Sequence, residues 1–211
     1  MGKIIVVIGT SGVGKTTLVN ALSRTGQFSV GLEEHNKRPF QKLFNENKKF
    51  AFENQVDYLL FRAEQEKTLR LNVMPGLIDG GLDLDFFGFS KLFKYRGYLG
   101  PSEFQLCKRL YQYLRSSLGE PDCIIHLFAE KMTIEERLHN RNRINIANSR
   151  DTILLEKFIR EGLKTYEKSK IINVDVTYEE PGYQVLINNL LHRLTEMNLI
   201  SNQLFETDYI P

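Results

Sequence analysis

The chain has 211 residues, 42% of them hydrophobic and 26% charged, with 28 Lys and Arg against 26 Asp and Glu. These are the proportions of a soluble globular α/β domain with a substantial core, and a net charge of +2 leaves a nucleic-acid partner possible without indicating one. No apolar run is long enough to span a bilayer, and Cys107 and Cys123 lack metal-ligand spacing, so a cytoplasmic chain with free thiols is expected.

The chain opens on a β-branched and aliphatic run, Ile4 to Ile8, which reads as a buried strand and not a signal peptide, because it feeds directly into a glycine-punctuated turn. That turn, Gly9-Thr10-Ser11-Gly12-Val13-Gly14-Lys15-Thr16, fits G-x-x-x-x-G-K-[ST] in full. Glycines let backbone amides curl around phosphate oxygens, and the helix that follows adds its free N–H groups and positive dipole end. Lys15 is placed to reach the β- and γ-phosphates and Thr16 to ligate Mg²⁺, with Thr17 completing the nucleotide-contacting set. Strand, motif and helix occur in the required order, so ATP or GTP binding is expected.

A second strand is expected over Phe28 to Glu33 and a long helix over Lys49 to Leu71, where Phe52, Val56, Leu59 and Ala63 form an apolar stripe. Gln55 and Arg62 project within about 20° of one another on its flank, where such a pair either caps the surface, the commoner case, or lines a cleft. Asn72 to Asp79 reads as a strand shortened by Pro75 and Gly76, with Asp79 at its carboxyl end, where open parallel sheets bind ligands. Helices are expected from Asp83 to Gly97 and from Pro101 to Ser117, the second opened by a Ser102–Gln105 capping box. Asp122 to Phe128 reads as a central strand containing a core histidine, His126. A helix capped by Thr133 and Glu136 then leads into the basic run Arg137, Arg141 and Arg143. The helix Asp151 to Lys168, the strand Lys170 to Val176 and the helix Pro181 to Met197 complete the chain. Alternating strands and helices imply a five-stranded parallel sheet flanked by helices. With no repeat or linker, residues 1–211 read as one domain, with a lid segment at about 137–150 and a C-terminal helix and tail at about 181–211.

Phosphoryl transfer needs cations around the developing charge and a positioned acceptor hydroxyl. Arg137 and Arg141, one helical turn apart with Arg143 beyond, suit either an arginine lid or a solvated basic helix end. Glu33 and Glu34 suit either a general base or exposed loop carboxylates. Asp79 fits an indirect Mg²⁺ ligand, while Asp83 and Asp85 fit that role or the acidic first turn of a helix.

From the phosphate loop to about Val176 the chain resembles the deoxynucleoside kinases, which have a P-loop NTPase three-layer fold with an arginine-rich lid. The Glu33-x5-Pro39-Phe40 stretch resembles the family segment with the catalytic glutamate, which implies that Glu33 takes the proton from a 5′-hydroxyl. Phe52-Glu53-Asn54-Gln55 through Arg62 resembles its base-reading helix, and Asp85 occupies the place of the aspartate that pairs with the arginine. Asp79-Gly80-Gly81 stands where the family carries Asp/Glu-Arg-Ser, and Arg137-x3-Arg141-x-Arg143 matches the lid arginines. Three positions depart: Gly80 replaces an arginine, and Phe44 and Ile146 replace a tyrosine and a glutamate that hold the sugar 3′-hydroxyl. The resemblance implies an ATP- and Mg²⁺-dependent kinase acting on the 5′-hydroxyl, or an analogous primary alcohol, of a nucleoside or modified nucleoside, with a homodimer as a further expectation. The alternatives are a non-catalytic nucleotide-binding relative, a nucleoside monophosphate kinase using Arg38 or Arg62 for the acceptor phosphate, or a kinase of a modified base in DNA.

Overall fold

A computed structural model describes residues 2–32, 38–139, 151–178 and 183–201. β1 (Ile4–Ile8) is buried at all five positions, as expected of a parallel strand covered on both faces. Around it β2 (Ser29–Gly31), β3 (Gly76–Asp79), β4 (Cys123–Phe128) and β5 (Ile171–Asp175) form a sheet in the order β2-β3-β1-β4-β5, with every pairing parallel. The five-stranded expectation therefore holds. β1 sits where the chain changes direction across the sheet, so its carboxyl end is the crevice at which such folds bind ligands.

The alternation of β1 sorts the core. Ile5 and Val7 join Leu18, Val19 and Leu22 of α1 (Lys15–Ser23) and Leu190 and Leu194 of α9 (Gln184–Glu196) on one face. Ile4, Val6 and Ile8 join Leu155, Ile159 and Leu163 of α8 (Thr152–Leu163) on the other. A third cluster lies off the sheet between α2 (Pro39–Glu46), α3 (Ala51–Leu69) and α6 (Pro101–Leu118), and is rich in Phe44, Leu59, Phe86, Phe93 and Tyr111.

Several boundaries differ from expectation. β2 ends at Gly31, and α2, opened by Pro39 in its first turn, was not anticipated. Pro75 confines β3 to four residues. The expected helix from Asp83 to Gly97 is broken into α4 (Gly81–Asp83), a π-helical stretch Leu84–Ser90 and α5 (Lys91–Tyr95). α6 starts two residues earlier than a Ser102 cap allows. Pro101 takes the first turn, so Gly100 is the cap, and its N–H donates to Glu103 Oε2 at 2.6 Å. α7 (Lys131–His139) begins before Thr133, which therefore sits inside the helix. α9 begins at Gln184, three residues after the expected Pro181.

His126 is fully buried in β4, as expected of a core histidine, and it is polar-partnered: Nδ1 lies 2.9 Å from Asn173 Oδ1 and Nε2 3.3 Å from Glu156 Oε1. Among the described residues no helix is long and apolar enough to cross a membrane.

Both cysteines are buried and free. Burial pushes the Cys107 thiol up to about 11 and the Cys123 thiol up to about 12. Because the thiolate is the reacting form, native protein at pH 8 is expected to leave both unlabelled by a disulfide reagent, and denatured protein to react at both. Rapid labelling of either in the native state would contradict their placement.

Candidate active site

The phosphate loop follows from β1 and ends where α1 begins at Lys15, so the free amides of the first helical turn point into the loop. Gly14 stands at φ 110, and a Cβ there would run into the Tyr183 hydroxyl. Only glycine meets both conditions. Ile134 and Leu138 of α7 pack over Gly12. Arg137 donates from Nη1 to the Val13 carbonyl at 3.0 Å and from Nη2 to the Val176 carbonyl at 2.8 Å. It braces the loop against the chain that leaves β5, so it is not the solvated basic helix end.

Lys15 Nζ donates to the carbonyls of Gly9 at 3.1 Å and Thr10 at 2.9 Å. The Thr16 hydroxyl donates to Asp79 Oδ2 at 2.6 Å, a contact made possible by the register that sets Asp79 beside Val7. Asp79 is 1% exposed, and its Oδ1 has no hydrogen-bond partner among the described residues.

Beyond β3 the second group of expected residues comes together, buried and not on the surface. Arg62, 1% exposed, donates from Nε to Asp85 Oδ2 at 2.9 Å and from Nη1 to Gln65 Oε1 at 3.3 Å. Gln55 Nε2 donates to the Asp85 carbonyl at 2.8 Å, and Ser90 Oγ donates to the same carbonyl at 3.1 Å. The wide π turn thus turns the Asp85 carbonyl and carboxylate toward α3, which fits the frequent use of π turns at functional sites. Of the apolar stripe expected on α3, Leu59 and Ala63 are buried while Phe52 and Val56 are only half-buried, because the inward face also takes Gln55, Arg62 and Glu66.

Phe44 is 1% exposed, with its ring centroid 4.8 Å from Phe93 and 6.1 Å from Tyr98 and the Lys48 ammonium 3.9 Å above it. It carries no hydroxyl into that cluster. Arg38 pairs with Asp57 at 3.4 Å and lies over the Phe61 ring at 4.2 Å. Glu33, Glu34, Arg141, Arg143 and Ile146 lie outside the described residues. Two residues escaped the sequence reading. Gln65 ties Arg62 to the Leu32 carbonyl at 2.8 Å and was detectable as an i+3 neighbour of Arg62. Tyr183, which covers Gly14, gave no sequence signal.

A family model described as deoxynucleoside kinase matches residues 5–182. The chain belongs to the deoxynucleoside kinase family. It is 27% identical over 145 residues to a deoxyadenosine/deoxycytidine kinase of Bacillus subtilis (strain 168), covering 67% of this chain and 66% of that one. It is 29% identical over 143 residues to a deoxyadenosine kinase of Dictyostelium discoideum, covering 67% of this chain and 58% of that one. The chain therefore spans just under two thirds of the first relative's length and less of the second's. The structure of the M. mycoides deoxyadenosine kinase with bound dCTP superposes with a TM-score of 0.75 at 21% identity, covering 92% of this chain and 99% of that one. At that identity the likeness establishes the fold.

Within the family fold, Gly80 acquires a physical reason. Its φ of 91 and ψ of −75 are closed to ordinary side chains, and a Cβ there would stand 3.0 Å from Arg62 Nη2 and 3.4 Å from Leu84 Cδ2. Gly80→Ala is expected to cost roughly 1–3 kcal/mol of stability through backbone strain and to disturb the Arg62–Asp85 pair. Urea unfolding checks the first effect, and an unchanged midpoint would show that the turn relaxes freely.

Proposed function

We propose that the protein is an ATP-dependent nucleoside kinase that transfers the γ-phosphoryl group to the 5′-hydroxyl, or an analogous primary alcohol, of a nucleoside or modified nucleoside. The observation that carries this reading is the placement of two functional groups on one short segment. Asp79 meets Thr16 beside the phosphate loop, and six residues later Asp85 meets Arg62 and Gln55. A triphosphate on the loop and a base beside α3 would then share one crevice, as an in-line transfer requires.

The loop amides and the start of α1 hold the donor phosphates. Lys15 exchanges the Gly9 and Thr10 carbonyls for phosphate oxygens and stabilises the charge that develops on them. Glu33 accepts the proton of the acceptor hydroxyl as its oxygen bonds to the γ-phosphorus, and the bond to the β–γ bridging oxygen breaks, releasing ADP. Arg141 and Arg143 contribute further positive charge, while Arg137 keeps the loop in shape. The residues fit a Mg²⁺ ion: the Thr16 hydroxyl and the buried, unpartnered Asp79 Oδ1 are oxygen donors of the type that cation takes. Bound there, it would neutralise charge on the β- and γ-oxygens.

Gln55 and Arg62, held by Asp85, present planar hydrogen-bonding edges suited to a nucleobase. The names of the relatives make deoxyadenosine, deoxycytidine and deoxyguanosine the first acceptors to test. Phe44 and Ile146 supply no ligand for a 3′-hydroxyl, so acceptors that lack or mask this group belong in the same panel. The monophosphate-kinase reading loses support, because Arg38 and Arg62 both have carboxylate partners. A homodimer remains part of the proposal on family grounds.

ATP consumption measured across nucleosides, nucleotides and DNA is expected to depend on a nucleoside acceptor. Lys15→Ala should lower kcat by roughly 10²–10³-fold, and Glu33→Gln by roughly 10²–10⁴-fold with ATP affinity retained. ATP binding without transfer to any acceptor would instead support a non-catalytic role.

A further inference from the structure

Between the phosphate side of the crevice and its base side, the chain passes through Gly80 and Gly81, both at positive φ, 91 and 76. Two consecutive glycines have the least resistance to bond rotation of any dipeptide. Left to itself, this hinge would let Asp79 and Asp85 drift relative to one another. Gly80 N–H is held by the Val7 carbonyl at 2.9 Å, which fixes only the entry to the turn.

Asp83 fixes the exit. It is 2% exposed, and among the described residues its carboxylate accepts hydrogen bonds from distant elements. Its Oδ1 accepts from the Tyr111 hydroxyl of α6 at 2.9 Å and from the Tyr166 hydroxyl, which lies beyond α8, at 2.5 Å. Its Oδ2 accepts from Arg115 Nη2 at 2.9 Å. Burial first, and then the charge of Asp83, push both phenols above their ordinary range, so they remain donors at neutral pH. Burial pulls the Arg115 guanidinium down, but Asp83 and Glu66 outweigh it and keep it charged.

The network returns to the base-reading helix. Arg115 Nη1 donates to Glu66 Oε1 at 3.0 Å and Oε2 at 3.2 Å, and Glu66 stands one turn after Arg62 on α3. Two parallel links therefore join the segment after the glycine hinge to one stretch of α3: Asp85 to Arg62 directly, and Asp83 to Glu66 through Arg115. The first presents its groups to a base. The second touches neither phosphate loop nor base-reading side chains, and a buried charged network without such a task is seldom more stable than apolar packing.

We propose that Asp83 is a positioning residue for the acceptor side of the site, locking the Gly80–Gly81 hinge through Tyr111, Tyr166 and Arg115 so that Asp85 and Arg62 keep their register with the phosphate loop. This role rests on the kinase reading for its consequence, and on the network alone for its structure.

The test compares wild type with the double variant Tyr111→Phe/Tyr166→Phe, which removes two donors while leaving Asp83 paired with Arg115. Tyr166→Phe alone is the milder form should the double variant not fold. Leu190→Ala, on the buried face of α9, serves as a control that destabilises without touching the hinge. Hydrogen exchange of the peptide 80–88 is expected to quicken by about tenfold in the double variant, with the peptide 9–16 unchanged. The KM for the nucleoside acceptor should rise by about the same factor, with the KM for ATP unaltered. The control should show neither selective change. Unchanged exchange over 80–88, or acceleration spread evenly over all peptides, would overturn the proposal. If wild type transfers phosphate to no acceptor, the kinase reading fails, and the exchange pattern still decides whether Asp83 locks the hinge.

Discussion

A guanidinium with 1% of its surface exposed has no water to share its charge, and a protein interior tolerates it only in a pair. The acceptor half of the site depends on that constraint. Arg62 points inward from α3, so a carboxylate has to be delivered to it from elsewhere in the chain, and Asp85 is the one delivered. The delivery explains local features that would otherwise look accidental. The chain after β3 winds as a π-helix and not as a regular helix, which leaves the Asp85 carbonyl accepting from Gln55 and Ser90 while its carboxylate faces Arg62. A buried pair of this kind adds little net stability over apolar packing. Its effect is geometric, because Asp85 at Nε and Gln65 at Nη1 hold the guanidinium in a fixed plane.

The donor half answers to a different constraint, the parallel register at the centre of the sheet. Pairing Val7 with Asp79 brings the end of β3 level with the start of the phosphate loop, which is why Thr16 and Asp79 meet although 63 residues separate them. α7 then closes over the loop through Ile134, Leu138 and Arg137, and Tyr183 closes over Gly14. The loop is therefore shaped from outside as much as by its own glycines. Both halves meet on the segment 79–85, so the separation between the phosphate loop and the Arg62–Asp85 pair is set by a run of seven residues.

The donor half was largely legible in the sequence, since one local motif specifies strand, loop and helix in order and burial leaves that order no alternative. The number of strands was legible for the same reason: each is a short apolar run bounded by turn residues. The acceptor half was legible only through resemblance. Periodicity favoured the surface for Gln55 and Arg62 because it counts apolar positions on one helix, and the partner that makes their burial tolerable lies on another element. The π winding from Leu84 to Ser90 was equally hidden, being set by side chains that arrive from α3 and by the close approach of Phe87 to Gly162 of α8. The start of α6 shows the same limit at small scale. Ser102 and Gln105 fit a capping pattern, but Pro101 can occupy only the first turn, and that moved the cap to Gly100 and Glu103.

Gly80 connects the two halves and bears on how the site can carry charge. In the family pattern this position supplies an arginine beside the transferring phosphate. Here the backbone angles exclude a side chain, and the space a Cβ would need lies against Arg62 Nη2. Arg62 cannot replace the missing cation, since its Nε is bonded to Asp85 and its Nη1 to Gln65 on the base side. Arg137 is engaged in holding the loop, donating to the Val13 and Val176 carbonyls. Lys15 stands at the loop itself, its ammonium donating to two loop carbonyls that phosphate oxygens can replace. On the proposed reading, charge stabilisation rests on Lys15 together with Arg141 and Arg143, and such a kinase would depend on accurate placement of its acceptor.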